Sequence, residues 1–109
     1  MNKYRNVKVK YDGIVFDSKR ECSRYQELKL LEKSNVIQDL QLQVKFEICP
    51  KQNGNRRARY YIADFVYTEG GRKIIEDVKS WITRKNAVYS LKKALVLAHY
   101  PEYDFREVM

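Results

Sequence analysis

The centre of the chain has the pattern of three strands joined by two tight turns. LQLQVKFEI (residues 40–48) alternates apolar and polar side chains without a break, which is typical of a strand with one buried face. Asn53-Gly54 predicts a turn, and a second strand follows at about residues 58–68, rich in aromatic and β-branched side chains. Gly70-Gly71 predicts another turn before a third strand at about residues 72–79.

Two elements are predicted before these strands. VKVKYDGIVF (residues 7–16) alternates weakly around Asp12-Gly13, which predicts a short hairpin. A helix follows at about residues 18–33, where Ser18 and Glu21 have the spacing of a capping box. Its apolar positions are predicted to face the sheet: Cys22, Tyr25, Leu28 and Leu31.

A second helix is predicted at about residues 84–98, capped by Thr83, and a last strand at residues 103–108. An apolar stripe on this helix is predicted to face the core: Val88, Leu91, Leu95 and Ala98. The order α-β-β-β-α-β predicts an α/β (α+β) fold with a mixed sheet flanked by helices. With no linker or repeat, residues 1–109 are predicted to form a single domain.

Composition indicates a polyanionic partner. The net charge is +8, from 22 Lys and Arg against 14 Asp and Glu, and nine tyrosines accompany it. A small basic, aromatic-rich chain favours nucleic acid, although excess lysine can also serve solubility alone. No apolar run could span a membrane, and the N-terminus lacks the apolar region of a signal peptide. Two distant cysteines, Cys22 and Cys49, are predicted to be reduced core residues in the cytoplasm.

The two turns determine which polar side chains meet in the sheet. With Gly70-Gly71 as a two-residue loop, Asp64 lies opposite Asp77, while Glu76 points to the other face. With Asn53-Gly54 as the other loop, Gln43 lies opposite Asp64, so that Gln43, Asp64 and Asp77 form one row. Like charges directly opposite each other destabilise a sheet, so the two aspartates require a cation. Glu76 either supports the site or is simply solvated.

Two further groups are predicted to join the aspartates. Glu21 lies near the centre of the apolar arc of the first helix, so it should point at the sheet as well as complete the capping box. Lys79 has the same strand parity as Asp77. Carboxylate oxygens suit Mg²⁺ or Mn²⁺, and a bound ion of this kind activates water and stabilises charge on a phosphodiester. Glu21, Asp64 and Asp77 are therefore the predicted metal ligands, with Lys79 orienting water or neutralising phosphate.

The segments ADFVY and EDVK resemble the PD-(D/E)XK nuclease superfamily, with Asp64 as the first acid and Asp77-Val78-Lys79 as the D-x-K tripeptide. Ala63 stands where the pattern has proline. The resemblance implies a restriction-endonuclease-like core and a helical Glu ligand at Glu21. The chain also looks like a family of small phage- and prophage-borne nucleases related to Holliday junction resolvases and TnsA-type transposon endonucleases. This implies a cytoplasmic protein of a bacterial host, encoded by a phage or prophage.

Basic side chains outside the predicted site are candidates for DNA contacts. They are Lys45, Arg56, Arg57, Arg84, Lys85, Lys92 and Lys93. Each has the alternative of being ordinary solvated surface. Trp81 could stack on a base or pack against the second helix, and packing is the favoured interpretation.

The leading hypothesis is an Mg²⁺- or Mn²⁺-dependent endonuclease for branched DNA, with Holliday junctions first. Two symmetric cuts would require a homodimer. The alternatives are a structure-nonspecific or nicking nuclease, and a catalytically silent DNA-binding or host-interaction protein. A single histidine and the absence of a Gly-rich phosphate loop argue against a His-based zinc site and a nucleotide cofactor.

Overall fold

The computed structural model describes residues 7–51, 54, 57–79 and 86–108. Its elements in chain order are β1 (Val9–Tyr11), β2 (Ile14–Phe16), α1 (Lys19–Lys33), β3 (Gln38–Cys49), β4 (Arg59–Glu69), β5 (Arg72–Val78), α2 (Ala87–His99) and β6 (Tyr103–Val108). Within these ranges, no helix is long and apolar enough to cross a membrane.

The main sheet is mixed, as predicted. Its strand order is β3-β4-β5-β6, with antiparallel pairing except between β5 and β6, which are parallel. β1 and β2 form a separate hairpin around Asp12-Gly13, where both residues have positive φ, at 58° and 73°. This is the geometry of the tight hairpin turns that Asp-Gly favours. The α+β fold with the order α-β-β-β-α-β is confirmed.

Helix α1 begins and faces the sheet as predicted. The Ser18 hydroxyl accepts a hydrogen bond from the Glu21 backbone N–H at 3.1 Å, which satisfies one free amide of the first turn. Cys22, Tyr25 and Leu28 are buried. The apolar face of the helix therefore packs on the sheet, and Glu21 lies in the first turn of the helix.

Helix α2 differs from the prediction in its start and its orientation. Asn86, not Thr83, is the N-cap, and its side chain accepts hydrogen bonds from the N–H groups of Val88 and Tyr89. Of the predicted apolar stripe, Leu95 packs against the core, but Val88 and Leu91 are each 62% exposed and Ala98 is exposed too. Tyr89 and Val96 form the buried side instead. Thr83 lies outside the described residues.

Two apolar cores flank the sheet, and β4 passes from one to the other. Phe65 and Tyr67 pack with α1, whereas Tyr61 and Ala63 pack on the α2 side. Regular strand alternation would put Tyr61, Phe65 and Tyr67 on one face, and β4 departs from it between Ala63 and Phe65. β3 makes the same change of face, since Leu42 packs on the α1 side and Val44 on the α2 side. Both strands thus change faces at the level of Asp64.

Candidate active site

Asp64 and Asp77 lie where β4 and β5 separate. The two strands pair from Glu69↔Arg72 to Phe65↔Glu76, which is the predicted register. At the next position, carboxylate oxygens accept the hydrogen bonds of backbone N–H groups, in place of the backbone carbonyls of a regular strand pair. The Asp64 N–H donates to Asp77 Oδ1 at 2.8 Å, and the Val78 N–H donates to Asp64 Oδ2 at 2.9 Å. The two carboxylates are therefore brought side by side, as the register predicts.

One carboxylate oxygen of this pair is buried without a donor. Asp77 is fully buried, and its Oδ2 accepts no hydrogen bond from the part of the chain that the structure describes. Among the described residues, the Lys79 ammonium forms an ion pair with this oxygen at 3.8 Å, which is too long for a hydrogen bond. Burial raises the pKa of both Asp64 and Asp77, although Lys79 opposes this for each of them. A buried anionic oxygen with only a distant ammonium is destabilised until a cation or proton reaches it.

Lys79 connects the aspartates to α2 and β6. Its backbone N–H donates to the Val108 carbonyl at 2.8 Å, which continues the β5–β6 pairing beyond the end of β5. Its ammonium lies 4.9 Å from the centre of the Tyr89 ring, a cation–π distance. The Tyr89 hydroxyl donates to Glu107 Oε2 at 2.6 Å. Tyr89 therefore contacts the lysine ammonium with its ring and is itself held by Glu107. The sequence did not predict this role.

Glu21 reaches the aspartates from α1. Burial, together with the charges of Asp64, Asp17 and Asp77, raises its pKa from 4.5 to about 7, although Lys79 opposes the shift. Glu21, Asp64, Asp77 and Lys79 therefore lie within electrostatic range of one another, as predicted. Asp17, which acts on both Glu21 and Asp64, was not predicted. Its position directly before the Ser18 cap was the signal that could have indicated it.

Gln43 is level with the aspartates but has an unusual backbone. The predicted β3–β4 register is confirmed on both sides of it, by Leu42↔Phe65 and Val44↔Ala63. Gln43 itself has a φ of 54°, a left-handed conformation that costs a non-glycine residue about 1 kcal/mol or more. Its side chain is exposed. The predicted row of three side chains is therefore interrupted at Gln43, where the strand changes faces.

Glu76 is not solvated, and although its charge raises the pKa of Asp64, its hydrogen bonds are made with other residues. It is fully buried on the α1 side, where the Arg24 guanidinium donates two hydrogen bonds to it, at 2.6 and 2.9 Å. The Tyr67 hydroxyl donates a third. Because Arg24 is three residues after Glu21, this ion pair ties the helix that carries Glu21 to the strand that carries Asp77. The suggestion that Glu76 is solvated is wrong, and the hydrogen bonds from Arg24 and Tyr67 compensate for its burial.

The predicted DNA-contacting side chains fall into three groups. Lys45, Arg57 and Lys92 are exposed. Lys93 is partly buried, where it bonds Glu107 at 3.2 Å and lies 5.0 Å from the Phe105 ring centre. The remaining predicted positions lie outside the described residues, and they are Arg56, Arg84, Lys85 and, for base stacking, Trp81.

The described Asp, Glu, Cys and His side chains do not form a group of three that could hold a metal ion without rearranging. Asp64 and Asp77 each accept a hydrogen bond from a backbone N–H with one carboxylate oxygen. What remains is the buried Oδ2 of Asp77, with Asp64 beside it and Glu21 within electrostatic range. This set fits Mg²⁺ or Mn²⁺, which protein sites often hold through one or two carboxylates together with phosphate oxygens.

The comparisons with known proteins identify the family of the chain. No curated protein and no solved structure is significantly similar to it. One family, described as "Protein of unknown function (DUF1064)", matches residues 1–108, which include all the acids and the lysine of the site. The chain therefore belongs to the DUF1064 family.

Proposed function

We propose that this protein is a metal-dependent DNA endonuclease of the PD-(D/E)XK type that hydrolyses phosphodiester bonds in branched DNA. The observation that carries this proposal is the Asp64–Asp77 pair, with the Asp77 Oδ2 atom buried without a hydrogen-bond donor and the Lys79 ammonium 3.8 Å away. Natural proteins rarely keep a buried carboxylate oxygen unpaired unless the group has a ligand or a chemical role.

Asp64 and Asp77 would hold an Mg²⁺ or Mn²⁺ ion, with Glu21 as a further ligand. When bound, such an ion activates water and stabilises the charge that develops on the phosphate. The burial that raises the pKa of all three acids makes their charged forms unfavourable without a cation. The same burial would strengthen their attraction for the ion, because it removes competing water.

Lys79 would act on the scissile phosphate. Its ammonium lies between Asp77 and the Tyr89 ring, so it keeps one face toward the acidic pair. From there it can donate to a phosphate oxygen or orient the attacking water. Tyr89, which is fixed by its hydrogen bond to Glu107, would limit the freedom of the lysine to turn away.

Branched DNA and a homodimer are the finer parts of this proposal. The net charge of +8 supports a nucleic acid partner. The resemblance to junction resolvases favours a four-way junction, whose resolution needs two active sites. Val88 and Leu91, the exposed apolar residues of α2, offer a surface for a second copy. The same resemblance favours a phage- or prophage-encoded protein acting in the cytoplasm of a bacterial host.

A catalytically silent DNA-binding or host-interaction protein is the second candidate. One observation favours it, because both aspartates accept backbone hydrogen bonds, a structural role that needs no metal. A nicking or structure-nonspecific nuclease would use the same site as the leading proposal, and only its substrate would differ.

Cleavage assays separate these candidates. A labelled four-way junction, a duplex and a single strand would be incubated with the protein in Mg²⁺, Mn²⁺ or EDTA. We expect metal-dependent cutting that is strongest on the junction and is abolished by Asp77→Asn. That variant keeps an oxygen to accept the Asp64 N–H, and Asp104→Asn, which removes a surface carboxylate bonded to Arg72, is the control. Binding without cutting in every metal would favour the silent protein, and full activity of Asp64→Asn would refute the site.

A further inference from the structure

The outer halves of β3 and β4 leave one side of their hairpin uncovered. On one side, Phe46, Tyr61 and Ala63 are buried in the α2 core. The residues between them point the other way, and all are exposed: Gln43, Lys45, Glu47, Tyr60 and Ile62. These five residues are called the bare hairpin face below.

The change of face at Gln43 and Asp64 explains why no helix covers this surface. Up to Leu42 and Phe65, both strands send apolar side chains toward α1. Beyond that level they face α2, so the side toward α1 has no apolar core position left. An exposed side of a hairpin normally carries polar residues. Here it carries Tyr60 at 45% and Ile62 at 48% exposure, two positions apart on one strand.

The composition of the bare hairpin face matches a nucleic acid strand. Lys45 pairs with Ile62 across the two strands, and its ammonium lies 5.9 Å from the centre of the Tyr60 ring. Arg57 and Arg59, also exposed, continue the positive charge toward the hairpin tip. An exposed aromatic ring beside basic side chains binds single-stranded nucleic acid through stacking and phosphate contacts.

The bare hairpin face adjoins Asp64 along β4. Ile62 and Tyr60 are two and four residues from Asp64 on the same strand, which corresponds to about 7 and 13 Å. A phosphate at Asp64 and Asp77 would therefore place the adjoining nucleotides over Ile62 and Tyr60. A base can stack on Tyr60 only if it is not already stacked in a duplex.

We propose that the bare hairpin face binds unpaired nucleotides next to the scissile phosphate, with a base stacked on Tyr60 and a phosphate contacted by Lys45. This deepens the proposed nuclease function and rests on it for the position of the cut. Its consequence is a substrate with unpaired bases beside the cleaved bond, as at a branch point or a flap.

The test measures DNA binding in EDTA, where metal-dependent cleavage is suppressed. Fluorescence anisotropy would compare a labelled single strand with a duplex of the same sequence. We expect Tyr60→Ala to weaken single-strand binding by about 5-fold or more, since stacking contributes about 1–3 kcal/mol per base. Tyr60→Phe keeps the ring and should bind like the wild type. Tyr11→Ala, which removes another tyrosine of 45% exposure on the β1–β2 hairpin, is the matched control.

A single strand that contains 2-aminopurine provides a second readout, because the fluorescence of this base is quenched when it stacks on an aromatic ring. Quenching on binding that Tyr60→Ala removes would support stacking. Unchanged single-strand affinity in Tyr60→Ala, or an equal loss on duplex, would overturn the proposal. Cleavage that does not depend on Tyr60 would refute nucleotide binding by the bare hairpin face but not the nuclease function. Tyr60-dependent binding without cleavage in any metal would refute the nuclease function and support nucleotide binding by the bare hairpin face.

Discussion

The strongest physical prediction concerns the stability of the metal-free protein. Burial and the nearby aspartates raise the pKa of Glu21 from 4.5 to about 7. Well below pH 4.5, Glu21 is protonated in both the folded and unfolded states, so its titration does not change the free energy of unfolding. As the pH rises toward 7, the unfolded chain releases the proton first, so folding becomes less favourable. Above pH 7 the full penalty remains. One pKa unit is worth about 1.4 kcal/mol, so the penalty is about 2–3 kcal/mol, allowing for solvent screening.

Glu21→Gln removes the charge and should remove the penalty. We expect the variant to be about 2–3 kcal/mol more stable than the wild type at pH 8 in EDTA, and equally stable at pH 4. Urea unfolding followed by far-UV circular dichroism measures this difference. Glu27→Gln, on the exposed side of the same helix, should change stability by less than about 1 kcal/mol at either pH. If Glu21→Gln gave no extra stability at pH 8, the description of the acidic cluster would be refuted.

Three further changes test separate parts of the structure. Glu76→Gln should lower the free energy of unfolding by about 3 kcal/mol in urea titrations, because it leaves Arg24 without its buried partner. Gln43→Gly should raise the free energy of unfolding by up to about 1 kcal/mol in thermal scans, because glycine adopts a positive φ without strain. If the protein forms the proposed homodimer, Leu91→Glu should convert it to a monomer in sedimentation velocity, with a stability change below about 0.5 kcal/mol.

Each of these changes has a matched control. Glu69→Gln removes a partly exposed partner of Arg106 and should cost less than about 1 kcal/mol. Gln41→Gly, in the same strand but without the positive φ, should destabilise by about 0.5–1 kcal/mol. Leu30→Glu, on the exposed side of α1, should leave the association state unchanged. Results in which a control matches its variant would contradict the corresponding structural reason.

The sequence predicts the features that depend on local rules. The two-residue turn at Gly70-Gly71 determines the β4–β5 register, so the meeting of Asp64 with Asp77 could be predicted. The predicted β3–β4 register holds from Gln41 to Glu47 but shifts by one residue before Cys49, so a two-residue loop at Asn53-Gly54 does not account for it. The Ser18 cap and the helical period also predict the direction of Glu21. Secondary structure and strand partners were therefore predictable because neighbouring residues decide them.

The features that depend on long-range packing could not be predicted. Arg24 is separated from Glu76 by 52 residues, so nothing near Glu76 indicates a buried partner. The left-handed backbone of Gln43 has no sequence signal, since glycine or asparagine is usual in that conformation, and the change of face follows from it. On α2, both sides carry apolar residues, and periodicity alone cannot choose between Leu91 and Val96.

The most direct test of the account is whether the buried aspartates bind a divalent cation. Electron paramagnetic resonance of Mn²⁺ titrated into the protein reports the free and bound ion. The account predicts saturable binding by the wild type and by Asp104→Asn, and its loss in Asp77→Asn, in which an amide occupies the place of the unpaired oxygen. Equal Mn²⁺ binding by the wild type and Asp77→Asn, or no binding by the wild type with DNA present, would contradict it.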